Sequence, residues 1–153
     1  MELNHVNWLL IALVPIVLGV IWYNPHLPWN VRSYKKLKWF HWPWFYIISA
    51  GFTYGYMNLI IHQLGFYEIF FTDIMKGVPG TQEIVDEFMK KYGDKHRHFG
   101  HGVMHGILNA VLLGIPFLWF TLFFSGKSDR FWNHFIYILF TSALVGGLIS
   151  EFV

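Results

Sequence analysis

Four of the chain's nine histidines, His96, His98, His101 and His105, fall close together, and these are the residues best able to do chemistry. Side chains four apart on a helix stack on one another, so His101, His105 and Asn109 form one stripe. Asn58 and His62 repeat that spacing earlier in the chain. Counting turns inward from a shared boundary sets His62 level with His105, and Asn58 level with Asn109. His5 and Glu151 stand at the same boundary at the ends of two further apolar segments. Neutral imidazoles ligate zinc, copper or iron, and a carboxylate can complete the shell. The candidate metal ligands are therefore His5, His62, His98, His101, His105 and Glu151. A pair of imidazoles across a helical bundle could instead hold haem iron. The plainer expectation is a polar network without a cofactor, His62 with His105 and Asn58 with Asn109. Imidazoles and amides in hydrocarbon must find partners, and these can serve one another. No HExxH, CxxC or CxxCH signature favours the cofactor readings.

Four apolar segments must position these residues: 6–23, 44–65, 102–124 and 131–151, without Lys, Arg, Asp or Glu short of their outer edges. At about 1.5 Å per helical residue, such lengths match a hydrocarbon layer about 30 Å thick. The 153-residue chain is 55% hydrophobic and 13% charged, against roughly a quarter charged in soluble domains. The expected fold is an all-α membrane protein, a single four-span domain over 1–153. The N-terminal stretch lacks the basic start of a secretory signal, so 6–23 reads as a retained span. Cysteine is absent, which excludes disulfides and thiolate ligands. A net charge of +2 gives no reason to expect nucleic acid.

Charge sets the orientation. Arg32, Lys35, Lys36 and Lys38 follow the first segment, and Lys127, Asp129 and Arg130 separate the last two. Short basic loops stay in the cytoplasm. Both termini and the mixed-charge segment 67–99 then lie outside, periplasmic if the membrane is a bacterial inner membrane. Most tryptophans, among them Trp22, Trp29, Trp39, Trp42, Trp44, Trp119 and Trp132, cluster near the inner boundary, where indoles prefer to sit. Within 67–99, Thr81 follows Pro79-Gly80, and Ile84, Phe88 and Tyr92 recur every four residues. That pattern predicts a short amphipathic helix over 81–92, capped by Thr81 and stopped at Gly93.

Packing in lipid relies on small residues. Gly102, Gly106, Ala110 and Gly114 run at i+4 intervals through the third segment, with Gly51 and Gly55 in the second and Ser142, Gly146 and Ser150 in the fourth. The stripe predicts a helix interface, within one chain or between two copies. Pro15 and Pro116 are expected to bend their helices. No acid or lysine sits at mid-membrane, which argues against proton-coupled transport, and no Ser-His-Asp order or phosphate loop is present.

The first segment closes on Gly19-Val-Ile-Trp-Tyr-Asn-Pro25. This resembles the G-x-x-W-Y-[SN]-P signature of a bacterial integral-membrane family, domain-of-unknown-function family 1761. His101-Gly-Val-Met-His-Gly106, continuing through Pro116 to Gly146-Gly147, looks like the H-G-x-x-H-G form of its C-terminal half. After Pro25 the chain departs from the family, reading His26-Leu-Pro-Trp-Asn30. The resemblance implies four spans in a bacterial membrane and supplies no activity. Physically, Gly19 permits close approach, Trp22 and Tyr23 anchor at the interface, and Asn24-Pro25 end the helix. The leading functional expectation is a non-enzymatic accessory or self-associating subunit in the bilayer, working as a homo-oligomer or in a larger membrane complex. The alternative is a metalloprotein, or a haem-binding oxidoreductase subunit, that uses the outer histidines.

Overall fold

The computed structural model describes residues 4–24, 26–28, 38–93, 95–124, 127 and 130–153, with the side chains of His5, Gln63, Leu64 and Phe120 excepted. Pro25, Trp29, Arg32, Lys35, Lys36 and Asp129 thus lie outside the described residues. The regular structure among the described residues is entirely helical. It comprises α1 (His5–Ile11), α2 (Val14–Trp22), α3 (His41–Ile60), α4 (His62–Met75), α5 (Thr81–Tyr92), α6 (Phe99–Asn109), a π-helical turn (Ala110–Gly114), α7 (Ile115–Phe124) and α8 (Phe131–Phe152).

Two stretches, Phe99–Phe124 and Phe131–Phe152, are long and apolar enough to cross a membrane, with mean hydropathies of 2.1 and 1.7. Only 12% and 39% of their most apolar windows is buried, whereas the core helix of a soluble protein would be mostly covered. Phe117, Phe123 and Phe124 instead point outward. An apolar exterior of this extent fits lipid contact better than water. Val6–Trp22 is apolar too but shorter. Although α3 has the length, Ser49, Thr53, Tyr54, Tyr56 and Asn58 dilute its apolar character.

The described helices meet one another at two ends. At one end, Asn4 N donates to Val153 O at 3.1 Å and Asn7 Nδ2 to Phe152 O at 2.8 Å. At the other, Trp22 meets Asn133, and Trp119 packs edge-on against Phe131. The hub is α8, which touches α1, α2, α3, α6 and α7. Ile11, Tyr56, Met57, Ile60, Ile61, Val145, Ile149 and Val153 form the core in the first of these halves. A buried hydrogen bond from Tyr56 Oη to Ser142 Oγ, 2.8 Å long, ties α3 to α8.

The small-residue stripe is an interface within the chain. Gly102, Gly106 and Ala110 are buried against α8. A Cβ built on Gly102 would overlap Gly146 O, and one on Gly106 would overlap Ser142 O. The two backbones therefore approach as closely as glycine permits, the geometry expected where van der Waals packing drives helix association. Gly114 sits further along, where a Cβ would stand 3.3 Å from Ile138. Gly51 and Gly55 face open space, with nothing within 4 Å.

Both prolines leave the predicted mark. The Pro15 ring conflicts with the carbonyl four residues back, that of Ile11, and α1 ends at Ile11. Segment 6–23 is thus two helices in line rather than one. Tyr46 Oη and Ser49 Oγ donate to Leu9 O and Ala12 O, at 3.2 and 2.5 Å, across this break, so polar groups freed by it keep partners. Pro116 similarly opposes Leu112, which lies inside the π-helical turn. A π-turn upstream of proline widens the helix where the ring needs room.

Two boundaries differ from expectation. Segment 44–65 does not continue as one helix to its end. Ile61 adopts φ −85°, ψ 90°, and the chain re-enters a helix at His62. Ile60 and Ile61 are both buried, and that burial pins the break. Gly80, not Thr81, is the N-cap of α5. It takes φ 83°, a left-handed conformation open to glycine, and Thr81 is the first helical residue.

Candidate metal centre

The start of α6 is tied down from two sides. Phe99 N donates to Glu151 Oε2 of α8 at 2.8 Å, and His101 N donates to His98 Nδ1 at 3.2 Å. Both acceptors satisfy amides that a helix start leaves unpaired, and the carboxylate also complements the positive end of the helix dipole. With α6 anchored here and its glycine stripe pressed onto α8, the adjoining stripe of His101 and His105 turns away from α8. It meets the α3–α4 break, where His62 opens α4.

Three imidazoles converge there. The nearest ligand nitrogens of His62, His101 and His105 all lie within 4.8 Å of one another. His62 Nε2 and His105 Nε2 are 3.2 Å apart. Ring centroids stand 4.7 Å apart for His62–His105, 4.5 Å for His101–His105 and 5.7 Å for His62–His101. His96 stacks on the outer face of His101 at 5.2 Å. His62 is exposed, while His101 and His105 are half-buried. His101 Nε2 is fully covered and has no hydrogen-bond partner. A buried polar nitrogen left alone costs about 1–3 kcal/mol, so it calls for an explanation.

The other sequence candidates fall elsewhere. His98 spends Nδ1 on the α6 cap, and Glu151 spends a carboxylate oxygen on Phe99 N. Neither joins the cluster of ligand atoms. His5 begins α1, and its side chain lies outside the described residues. Asn58 and Asn109 do not pair. Asn58 Nδ2 donates to Tyr54 O of its own helix at 2.9 Å, while Asn109 Nδ2 is buried without a partner. The carbonyl one turn back was the nearer acceptor for Asn58, and it turned the amide outward.

Sequence reasoning missed a second polar group at the opposite end. Trp22 Nε1 donates to Asn133 Oδ1 at 2.6 Å, and Tyr23 Oη stands 2.5 Å from His134 Nδ1. Tyr137 Oη donates to Pro15 O at 2.6 Å and lies 3.1 Å from where a Cβ on Gly19 would be. The motif Gly19-x-x-Trp22-Tyr23 is thus a docking strip for the first turns of α8. Asn24 Oδ1 accepts from His26 N at 3.0 Å and turns the chain. The available signal was the polar set Asn133, His134 and Tyr137 on one side of an otherwise apolar helix.

No protein-family model matches this chain, and neither a curated protein nor a solved structure does.

Proposed function

We propose that this chain is a four-pass protein of a bacterial inner membrane that binds one divalent transition metal, zinc first, between His62, His101 and His105 near the periplasmic face. The carrying observation is the meeting of three ligand nitrogens within 4.8 Å, one of them buried and unpartnered. Two nitrogens of a tetrahedral zinc site, each about 2.0–2.1 Å from the ion, stand about 3.3–3.4 Å apart. The His62–His105 separation of 3.2 Å is already close to that value. Three histidines with an open fourth position are the pattern of catalytic rather than structural zinc sites. Such an ion polarises a bound group or lowers the pKa of bound water. A cofactor-free network explains the pair His62–His105 but leaves His101 Nε2 without a role. Haem fits less well, because trans axial nitrogens stand about 4 Å apart with a flat macrocycle between them. Here His101 crowds the space that the macrocycle would need.

Four passes are supported by the antiparallel course of the chain and by the exposed apolar residues on each pass. Reporter fusions at either terminus should read periplasmic, and one at Lys36 cytoplasmic. A cytoplasmic C-terminal reporter would overturn this topology. The metal is tested by elemental analysis of protein purified without chelator, where about one zinc per chain is expected. Protein that acquires neither zinc nor cobalt, with no visible ligand-field bands in cobalt, would overturn the metal reading. We further propose kinship with domain-of-unknown-function family 1761 on the strength of the two motifs. The accessory or self-associating role has one surface in its favour, the exposed Gly51–Gly55 stripe on α3. Cysteine cross-linking at Gly51 in membranes should yield a dimer if copies meet there.

A further inference from the structure

Beside the histidines lies a cleft of about 710 Å³, within the range of small-molecule sites. Most of its lining is apolar. Ile60 and Ile61 come from the α3–α4 break, Phe66 and Ile69 from α4, and Phe88 and Tyr92 from α5. Phe66 and Phe88 stack with centroids 3.9 Å apart and hold α4 to α5. The lining also includes the exposed Lys95 and His96 and the half-buried Arg97, and no acidic residue lines it among the described residues. The acids of α5, Glu83, Asp86 and Glu87, are absent from the lining. His62 and His101 open into the same space. At Gly65, also in the lining, a Cβ would meet nothing within 4 Å.

An apolar lining with an exposed lysine beside it, at the end of the bundle where lipid headgroups would lie, complements one kind of molecule. We propose that this cleft binds a single-chain amphiphile with an anionic head, its acyl chain running between α4 and α5 and its head held by Lys95. Carboxylate and phosphate heads share the required chemistry. Because His62 and His101 belong to both places, a bound head lies beside the open position of the metal. In that respect the inference deepens the metal reading and names the class of molecule that would reach the ion. Chain binding itself requires no metal.

The test uses the full chain in phosphatidylcholine nanodiscs, chelator-treated, with dansyl-undecanoic acid as the probe. Oleate, lysophosphatidic acid and neutral oleyl alcohol compete for it. Oleate or lysophosphatidic acid should displace the probe at roughly tenfold or more lower concentration than the alcohol. The stronger of the two identifies the head as carboxylate or phosphate. Gly65→Phe, at a position where a Cβ meets nothing within 4 Å, should occupy the cleft and abolish probe binding. Lys95→Glu, a change at an exposed side chain, should remove the preference for anionic competitors. Equal competition by oleyl alcohol, or parental binding by Gly65→Phe, would overturn the proposal. Since the assay is run without metal, its failure and a failed metal analysis are separate results. His105→Ala, which lies outside the cleft lining, should lose metal and keep the probe.

Discussion

The two ends of this bundle carry polar groups in opposite states. At the Trp22–Asn133 end, an indole, an amide, a phenol and an imidazole each meet a partner across helices, and Tyr137 satisfies the Pro15 carbonyl. Each hydrogen bond there is between different chemical types, donor against acceptor. At the His62–His105 end, three identical groups face one another, and one nitrogen is left over. Of the three rings only His62 and His105 stand at hydrogen-bonding distance through their Nε2 atoms, and the buried His101 Nε2 has no partner. The first end is built as a clasp. The second leaves a buried imidazole nitrogen open.

The comparison is sharpest under mutation. His101→Ala or His105→Ala should weaken zinc binding by more than the roughly 10–100-fold seen when outer-shell partners are lost. His134→Ala should leave metal content unchanged. Isothermal titration with zinc on all three variants checks this, and equal losses would erase the distinction between the ends. Acid acts on the same end. Ligating imidazole must be neutral, so affinity should fall steeply on acidification and recover on return. Equilibrium dialysis over a falling pH series reads the effect.

Next in size is the packing that presents the histidines. Gly106→Leu drives a side chain into the α8 backbone and should destabilise the bundle by roughly 1–3 kcal/mol or more. Gly51→Leu, placed in open space, should stay within about 0.5 kcal/mol. Thermal denaturation in detergent compares the pair. Smallest is the clasp. Trp22→Phe removes one hydrogen bond and should cost about 0.5–1.5 kcal/mol, with zinc affinity unaltered.

Much of this was legible in the residues. Hydropathy announces helices, because lipid leaves the backbone no other partner than itself. The pairing of His62 with His105 followed from matched depth, and Gly102–Gly106–Ala110 from spacing. The break at Ile61 was hidden. Apolar residues continue on both sides of it, and its cause is the burial of Ile60 and Ile61 against other helices. Glu151 looked like a ligand because it stands at the correct end, but the unpaired amide of Phe99 claims it. Trp22 and Tyr23 looked like interface anchors since indole and phenol favour that depth. Their polar tips belong instead to Asn133 and His134, which only the crossing of α2 and α8 brings within reach.

The π-helical turn at Ala110–Gly114 acts as a phase shifter between α6 and α7. A π-turn holds one residue more than the α-helical turn it replaces, so α7 is displaced by one position, about 100° around the axis, from where α6 alone would have put it. The histidine half and the phenylalanine-rich half are thereby uncoupled in rotation. Side chains beyond Gly114 can be re-aimed toward lipid without disturbing the aim of His101 and His105. Deleting Val111 should restore a continuous α-helix and swing Phe117, now 76% exposed, to a new bearing while the three histidines stay in place.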